Sequence, residues 1–130
     1  MKVKIFVADD SEEHRKHIVE VLKRLDHEVV VTEAIDGTDG SAKIKAGQYD
    51  FFILDFHMPG ATGYELAQQV RQDPNHRDKP IILYTTERNR DLMQEARSLG
   101  KLTWMLKPMN EEKFTKVISE RISADPSLAV

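Results

Sequence analysis

The chain has 130 residues, 40% of them hydrophobic, a size that fits one globular domain with its own core and leaves no room for a second. Its formal net charge of -3 comes from interspersed acids and bases, which gives no basic stripe for nucleic acid and no polybasic anchor for a membrane. Absence of cysteine excludes a disulfide framework and thiolate metal sites, and no apolar run approaches a signal-peptide core or a membrane span, so a cytoplasmic protein is expected.

In chain order, residues 4–8 form the first β-rich apolar run and end on Asp9 and Asp10. Asp10 or Ser11 can cap a following helix whose stripe is His14, Ile18, Leu22 and Leu25. The second run, residues 29–32, leads into residues 38–47, where Gly40 and the scarcity of large apolar side chains predict a short or mobile helix. The third run, residues 51–54, ends on Asp55. Residues 71–80 are polar, carry two prolines and read as a loop before the fourth run at 81–84, which Thr85 and Thr86 follow. Leu92, Ala96 and Leu99 make the next helical stripe, stopped by Gly100. The fifth run, residues 103–106, precedes Lys107 and Pro108. Asn110 then caps a last helix with Glu111 and Glu112 in its first turn and Phe114, Val117, Ile118 and Ile122 on one face. Residues 123–130 are expected to fray.

The starts of the five runs lie 25, 22, 30 and 22 residues apart, too far for hairpins and suited to a strand, a crossover helix and two loops. Near-continuous apolar runs fit strands covered on both faces, so the pattern predicts an α/β protein with a parallel sheet. In such a sheet ligands bind beyond the carboxyl ends of the strands, where Asp9, Asp10, Asp55, Thr85 and Lys107 all fall. If the first and third strands are neighbours, three carboxylates converge there. Their mutual repulsion then requires a cation, and an all-oxygen site with open positions suits Mg²⁺. Taken singly, each motif has a plain reading: the acidic pair as a solvated cap, Thr85 as a strand former, Trp104 as packing. His14, His17, His27 and His76 show no metal-ligand spacing and read as surface residues.

Together, Val-Ala-Asp9-Asp10-Ser, Leu-Asp55-Phe-His-Met-Pro-Gly with Gly63 beyond it, Ile-Leu-Tyr-Thr85 and Leu-Lys107-Pro resemble the receiver domains of bacterial response regulators over residues 2–122. The resemblance implies a flavodoxin-like, CheY-like, doubly wound sheet of five parallel strands in the order 2-1-3-4-5 with five flanking helices, the receiver domain being residues 1–122 and of a stand-alone type. It further implies that Asp55 is the nucleophile taking a phosphoryl group from a sensor histidine kinase or histidine phosphotransfer domain. Asp9, Asp10, Asp55 and the backbone carbonyl of His57 would hold Mg²⁺, with Mn²⁺ as the substitute. Lys107 and Thr85 would meet the phosphoryl oxygens, and a cis Lys107–Pro108 bond would help aim the lysine. The chemistry would be self-phosphorylation and autodephosphorylation rather than metabolic catalysis. Thr85 and Trp104 would switch a face made by the fourth helix, fifth strand and fifth helix toward a protein target, as in chemotaxis; the alternative is a phosphorelay intermediate or phosphate sink.

Three departures from the family pattern stand out. His57 lies two residues after the nucleophile, Thr86 replaces the small residue usual after the threonine, and Thr62 stands where an acidic residue is frequent, a change expected to affect only the loop. His57, Thr86 and Glu87 are accordingly expected to tune the lifetime of the phosphoryl group.

Overall fold

Alternation along the strands explains how one sheet sorts its side chains into two cores. In the computed structural model, which describes residues 2–126 and 128, the strands are β1 (Lys2–Ala8), β2 (Glu28–Ala34), β3 (Phe51–Leu54), β4 (Ile81–Thr85) and β5 (Leu102–Leu106). The helices are α1 (Glu12–Lys23), α2 (Gly37–Ala46), α3 (Gly63–Gln72), α4 (Arg90–Arg97) and α5 (Glu111–Ala124). Successive strand residues point to opposite faces. Phe6, Phe52, Leu54 and Leu83 therefore pack with Ile44, Leu66, Val70 and Ala96 beneath α2, α3 and α4. Val3, Ile5, Phe51, Ile53 and Ile82 pack with Ile18, Leu22, Phe114, Ile118 and Ile122 beneath α1 and α5.

All strand pairs are parallel and the order is β2-β1-β3-β4-β5, as the resemblance implied. The chain reverses its direction of winding between β1 and β3, which opens a crevice at their carboxyl ends. Ala8 pairs with Leu54 at that end, so the residues that follow, Asp9 and Asp55, emerge side by side. The sequence places these two aspartates 46 residues apart; the register makes them neighbours.

Four expectations need correction. First, α2 is a regular helix of ten residues rather than a short one, capped by Asp36, whose side chain accepts from the Asp39 amide. Gly40 is tolerated because α2 and α3 approach closely there: a Cβ on it would stand 3.0 Å from the Leu66 Cδ1. Second, Thr62 affects more than a loop. It is the N-cap of α3, its hydroxyl accepting from the Glu65 amide while the Glu65 carboxylate accepts from the Thr62 amide. Third, His76 is buried, at 1% exposure. Its Nε2 accepts from the Tyr49 amide (3.1 Å) and its Nδ1 lies 2.7 Å from an Asp73 carboxylate oxygen, so the ring joins the loop after α3 to the segment before β3. Spacing to metal ligands, the criterion applied to it, says nothing about an imidazole used as a buried hydrogen-bond bridge. Fourth, α5 runs to Ala124 and Leu128 packs against the α1–α5 core, so residues 123 and 124 are not tail; residues 127, 129 and 130 lie outside the described residues.

Candidate functional site

Three strand ends build the site. Asp9 follows β1; its amide donates to the Ala34 carbonyl and its own carbonyl accepts from the Arg15 guanidinium at 2.7 Å. Its side chain is 1% exposed, and one carboxylate oxygen accepts from the Ser11 amide at 2.9 Å. Asp55 follows β3 and donates its amide to the Ala8 carbonyl. Its backbone carbonyl is pressed against Gly63, where an added Cβ would lie 2.2 Å from the oxygen. Lys107 follows β5, its amide held by the Thr85 carbonyl at 2.8 Å, and the Lys107–Pro108 bond is cis.

From that anchor the Lys107 ammonium donates to Asp9 at 2.9 Å and to Asp55 at 3.1 Å. It also lies 5.3 Å from the centroid of the Tyr84 ring. Asp10 completes the cluster: Asp9, Asp10 and Asp55 each offer a carboxylate oxygen, all within 4.8 Å of one another. Burial pushes the Asp9 carboxyl above its ordinary range and the Asp55 charge adds to this, against the lowering effect of the Lys107 and Ser11 hydrogen bonds. Three carboxylates thus face one ammonium. The donors are all oxygen and Asp10 is exposed to solvent, an arrangement that fits a hard divalent cation with some water retained.

Around this centre the other predicted residues divide. Thr85 is fully buried at the end of β4, and its hydroxyl oxygen accepts from the Glu87 amide at 3.2 Å. Trp104 is buried at 7% exposure, its ring 5.7 Å from Phe56 and its indole donating to the Glu87 carbonyl at 3.0 Å. β5 is thereby tied to the loop after β4. The His57 side chain points to solvent and pairs with Glu87, Nε2 to carboxylate oxygen 2.8 Å, and that bond holds the Glu87 carboxyl below its usual range. Thr86 is exposed. The structure thus joins Asp9, Asp10, Asp55 and Lys107 in one cluster and His57, Glu87 and Trp104 in a second set of contacts beside it.

Two participants escaped the sequence reading. Arg15 braces the Asp9 backbone, and His14, read there as a surface residue, places Nδ1 2.9 Å from the Lys107 ammonium. The available signal was position: both lie in the first turn and a half of the helix that starts right after the acidic pair.

Comparison with known proteins agrees with this geometry. Residues 5–119 match the family model described as the response regulator receiver domain. The chain is 33% identical over 125 residues to a chemotaxis protein CheY of Pseudomonas aeruginosa, covering 93% of this chain and 99% of that one. A crystallized chemotaxis protein CheY4 of Vibrio cholerae superposes with a TM-score of 0.81 at 30% identity, covering 93% and 99% of the two chains. The receiver domain of a Pseudomonas aeruginosa sensor histidine kinase, described with a magnesium ion coordinated in its active-site cleft, shares the fold at a TM-score of 0.81 and 21% identity, covering 95% of this chain and all of that one.

Proposed function

The chain belongs to the family of response regulator receiver domains, and from that membership we propose that Asp55 accepts a phosphoryl group from a histidine kinase or histidine phosphotransfer domain and that the modified form binds a protein target. The observation that carries this reading is the contact of one ammonium, Lys107, with both the Asp55 and Asp9 carboxylates at the β1–β3 crevice.

The step is a displacement at phosphorus. The bond from phosphorus to the donor's imidazole nitrogen breaks as a bond to an Asp55 carboxylate oxygen forms; the imidazole leaves with the electron pair and takes a proton from solvent. Catalysis of such a transfer is mostly positioning and charge neutralisation. Lys107 supplies a positive charge beside the nucleophile, and the Asp55 amide bond to Ala8 fixes the direction from which Asp55 emerges. Asp9, Asp10, Asp55 and the His57 carbonyl would hold Mg²⁺, or Mn²⁺ in its place, and the bound ion would offset the charge of the carboxylates and the incoming phosphoryl oxygens. Thr85 would donate to one of those oxygens the hydroxyl proton that its contact with the Glu87 amide leaves free, and a shift of the side chain toward the phosphoryl group would exchange that contact for the new one.

That exchange would loosen the Glu87 carbonyl from the Trp104 indole and so reach the face beyond it. There a groove of 590 Å³ runs between α4 and α5 over β5, lined by Met93, Trp104, Leu106, Lys113 and Val117 among others. This groove favours a target-binding output over a bare phosphate sink, and similarity to chemotaxis proteins makes a motility target the first to screen. The His57–Glu87 pair, joined at 2.8 Å, supports a shared role with Thr86 in setting phosphoryl lifetime, since in the family positions near these control entry of the attacking water. Phosphorylated His57→Asn and Thr86→Ala chains should decay at altered rates; parental decay in both removes that role.

The primary test is intact mass after incubation with Mg²⁺ and acetyl phosphate. The parent should gain one phosphoryl group and Asp55→Asn should not. No gain in the parent, from acetyl phosphate or from a phosphorylated histidine donor, would overturn the reading.

A further inference from the structure

A closed ring of hydrogen bonds runs through the site and includes a residue that the acceptor chemistry leaves unassigned. The Ser11 amide donates to Asp9, and the Ser11 hydroxyl, as N-cap of α1, accepts from the His14 amide at 3.2 Å. The His14 imidazole then meets Lys107 at 2.9 Å, and Lys107 returns to Asp9 at 2.9 Å. An ammonium carries three hydrogens and no acceptor, so a bond between the two requires Nδ1 as the accepting atom and the ring proton on Nε2.

Lys107 therefore has three partners for three hydrogens: Asp9, Asp55 and His14. Two of them are carboxylates whose bonding must change when a cation binds or when Asp55 is modified. His14 is the only one of the three that is not a carboxylate. Its backbone is fixed by the cap of α1, and its side chain, 46% exposed, has no part in the core. Apart from Lys107, the charged group near its Nδ1 is the Asp9 carboxylate, 4.0 Å away.

We propose that His14 is a positioning residue for phosphoryl acceptance: its Nδ1 holds the Lys107 ammonium over Asp55 while the two carboxylates exchange partners. This rests on the acceptor reading given above. The side chain touches Lys107 rather than the reacting atoms, so its effect should appear in the rate of uptake and not in the affinity of the acidic cluster for Mg²⁺.

The test compares the 130-residue parent with His14→Ala, His14→Asn and His14→Phe. Asparagine can set a carbonyl oxygen near the Nδ1 position, whereas alanine and phenylalanine offer no acceptor. His14→Ala and His14→Phe should take up phosphoryl from acetyl phosphate about three- to tenfold more slowly, with Mg²⁺ affinity changed by less than about twofold, and His14→Asn should recover most of the rate. In the metal-free parent, nitrogen NMR of the imidazole should show the Nε2–H tautomer, and the Lys107 ammonium signal, sharpened by its hydrogen bonds, should broaden in His14→Ala. Equal uptake rates in all four chains, failure of asparagine to rescue, or an Nδ1–H tautomer would each overturn the proposal. A parent that takes up no phosphoryl group overturns the acceptor reading and the catalytic purpose of the contact together. The metal-free spectra then decide separately whether His14 holds Lys107.

Discussion

At the scale of single residues the site is built by close approach as much as by charge. Gly63 is the clearest case. A methyl group there would collide with the carbonyl oxygen and carbon of Asp55, at 2.2 and 2.8 Å, and both are backbone atoms with no rotamer to adopt. Gly63→Ala should cost about 1–3 kcal/mol of stability in urea unfolding and slow phosphoryl uptake, because α3 and Asp55 must move apart. His76 shows the same dependence on one atom in a different setting. Its Nε2 is the acceptor for the buried Tyr49 amide, and its ring lies 5.2 Å from Phe52. His76→Phe keeps the ring but strands that amide, and should lose about 1–3 kcal/mol by the same measurement while leaving the distant acidic cluster able to bind Mg²⁺. A gentle effect of His76→Phe would show that water replaces the imidazole.

At the scale of elements, helix starts and loop clasps position the strand ends. Thr62 closes a capping box on α3, the helix whose first residue, Gly63, backs Asp55. Thr62→Ala should therefore cost about 1 kcal/mol in thermal or urea unfolding, whereas Thr62→Asp, also a good N-cap, should cost little. On the opposite edge Arg71 plays the corresponding part for α4. Its guanidinium donates to the carbonyls of Leu99 and Gly100 beyond α4, of Lys79 before β4, and of Lys101 before β5. Burial holds this guanidinium below its ordinary pKa, so its four carbonyl partners replace lost water. These devices were only partly legible in the sequence. Ser11, Asn110 and Gly100 stand where helix starts and stops are read directly. The α3 stripe of Leu66, Ala67 and Val70 is short and sits between a loop and a polar stretch, yet the Thr62-Gly-Tyr-Glu65 pattern was a sufficient marker for its start.

At the scale of the whole molecule, carboxylates of opposite tendency set the response to pH. Asp39, held chiefly by the Ile35 amide, and Asp73, held chiefly by the Asn75 amide, titrate below their ordinary range. So do Glu87, through His57, and Glu111, through Arg24. Each binds protons more readily in the unfolded chain, so its stabilisation is complete above the ordinary carboxylate value and is lost as pH falls through the lowered one. Asp9 has the reverse sign: burial raises it, its charged form opposes folding, and protonation relieves that cost. Urea midpoints of the metal-free chain should thus change little near neutrality and fall below about pH 4, where the four lowered groups outweigh Asp9. Asp73→Asn should flatten that acid slope. Asp9→Asn should raise the midpoint at neutral pH, since a neutral amide still accepts from Ser11, and should steepen the acid loss; a lowered neutral midpoint would mean that the Lys107 bond outweighs burial.

The sequence by itself determined the parallel α/β class, the five strands in chain order with four of their helices, and the placement of Asp9, Asp10, Asp55 and Lys107 just beyond strand ends. It could do so because alternation, helical stripes and caps are local, and because apolar runs covered on both faces leave their polar residues only at the termini. Resemblance to receiver domains added the order of the strands in the sheet. Tertiary structure alone decided which groups touch: the pairing of Ala8 with Leu54 that sets Asp9 beside Asp55, the reach of Lys107 across 98 residues to Asp9, and the turn of α1 that brings His14 to the same ammonium. It also decided that His76 is interior, because burial of a polar ring depends on partners, here the Tyr49 amide and Asp73, whose proximity is set by how two loops pack.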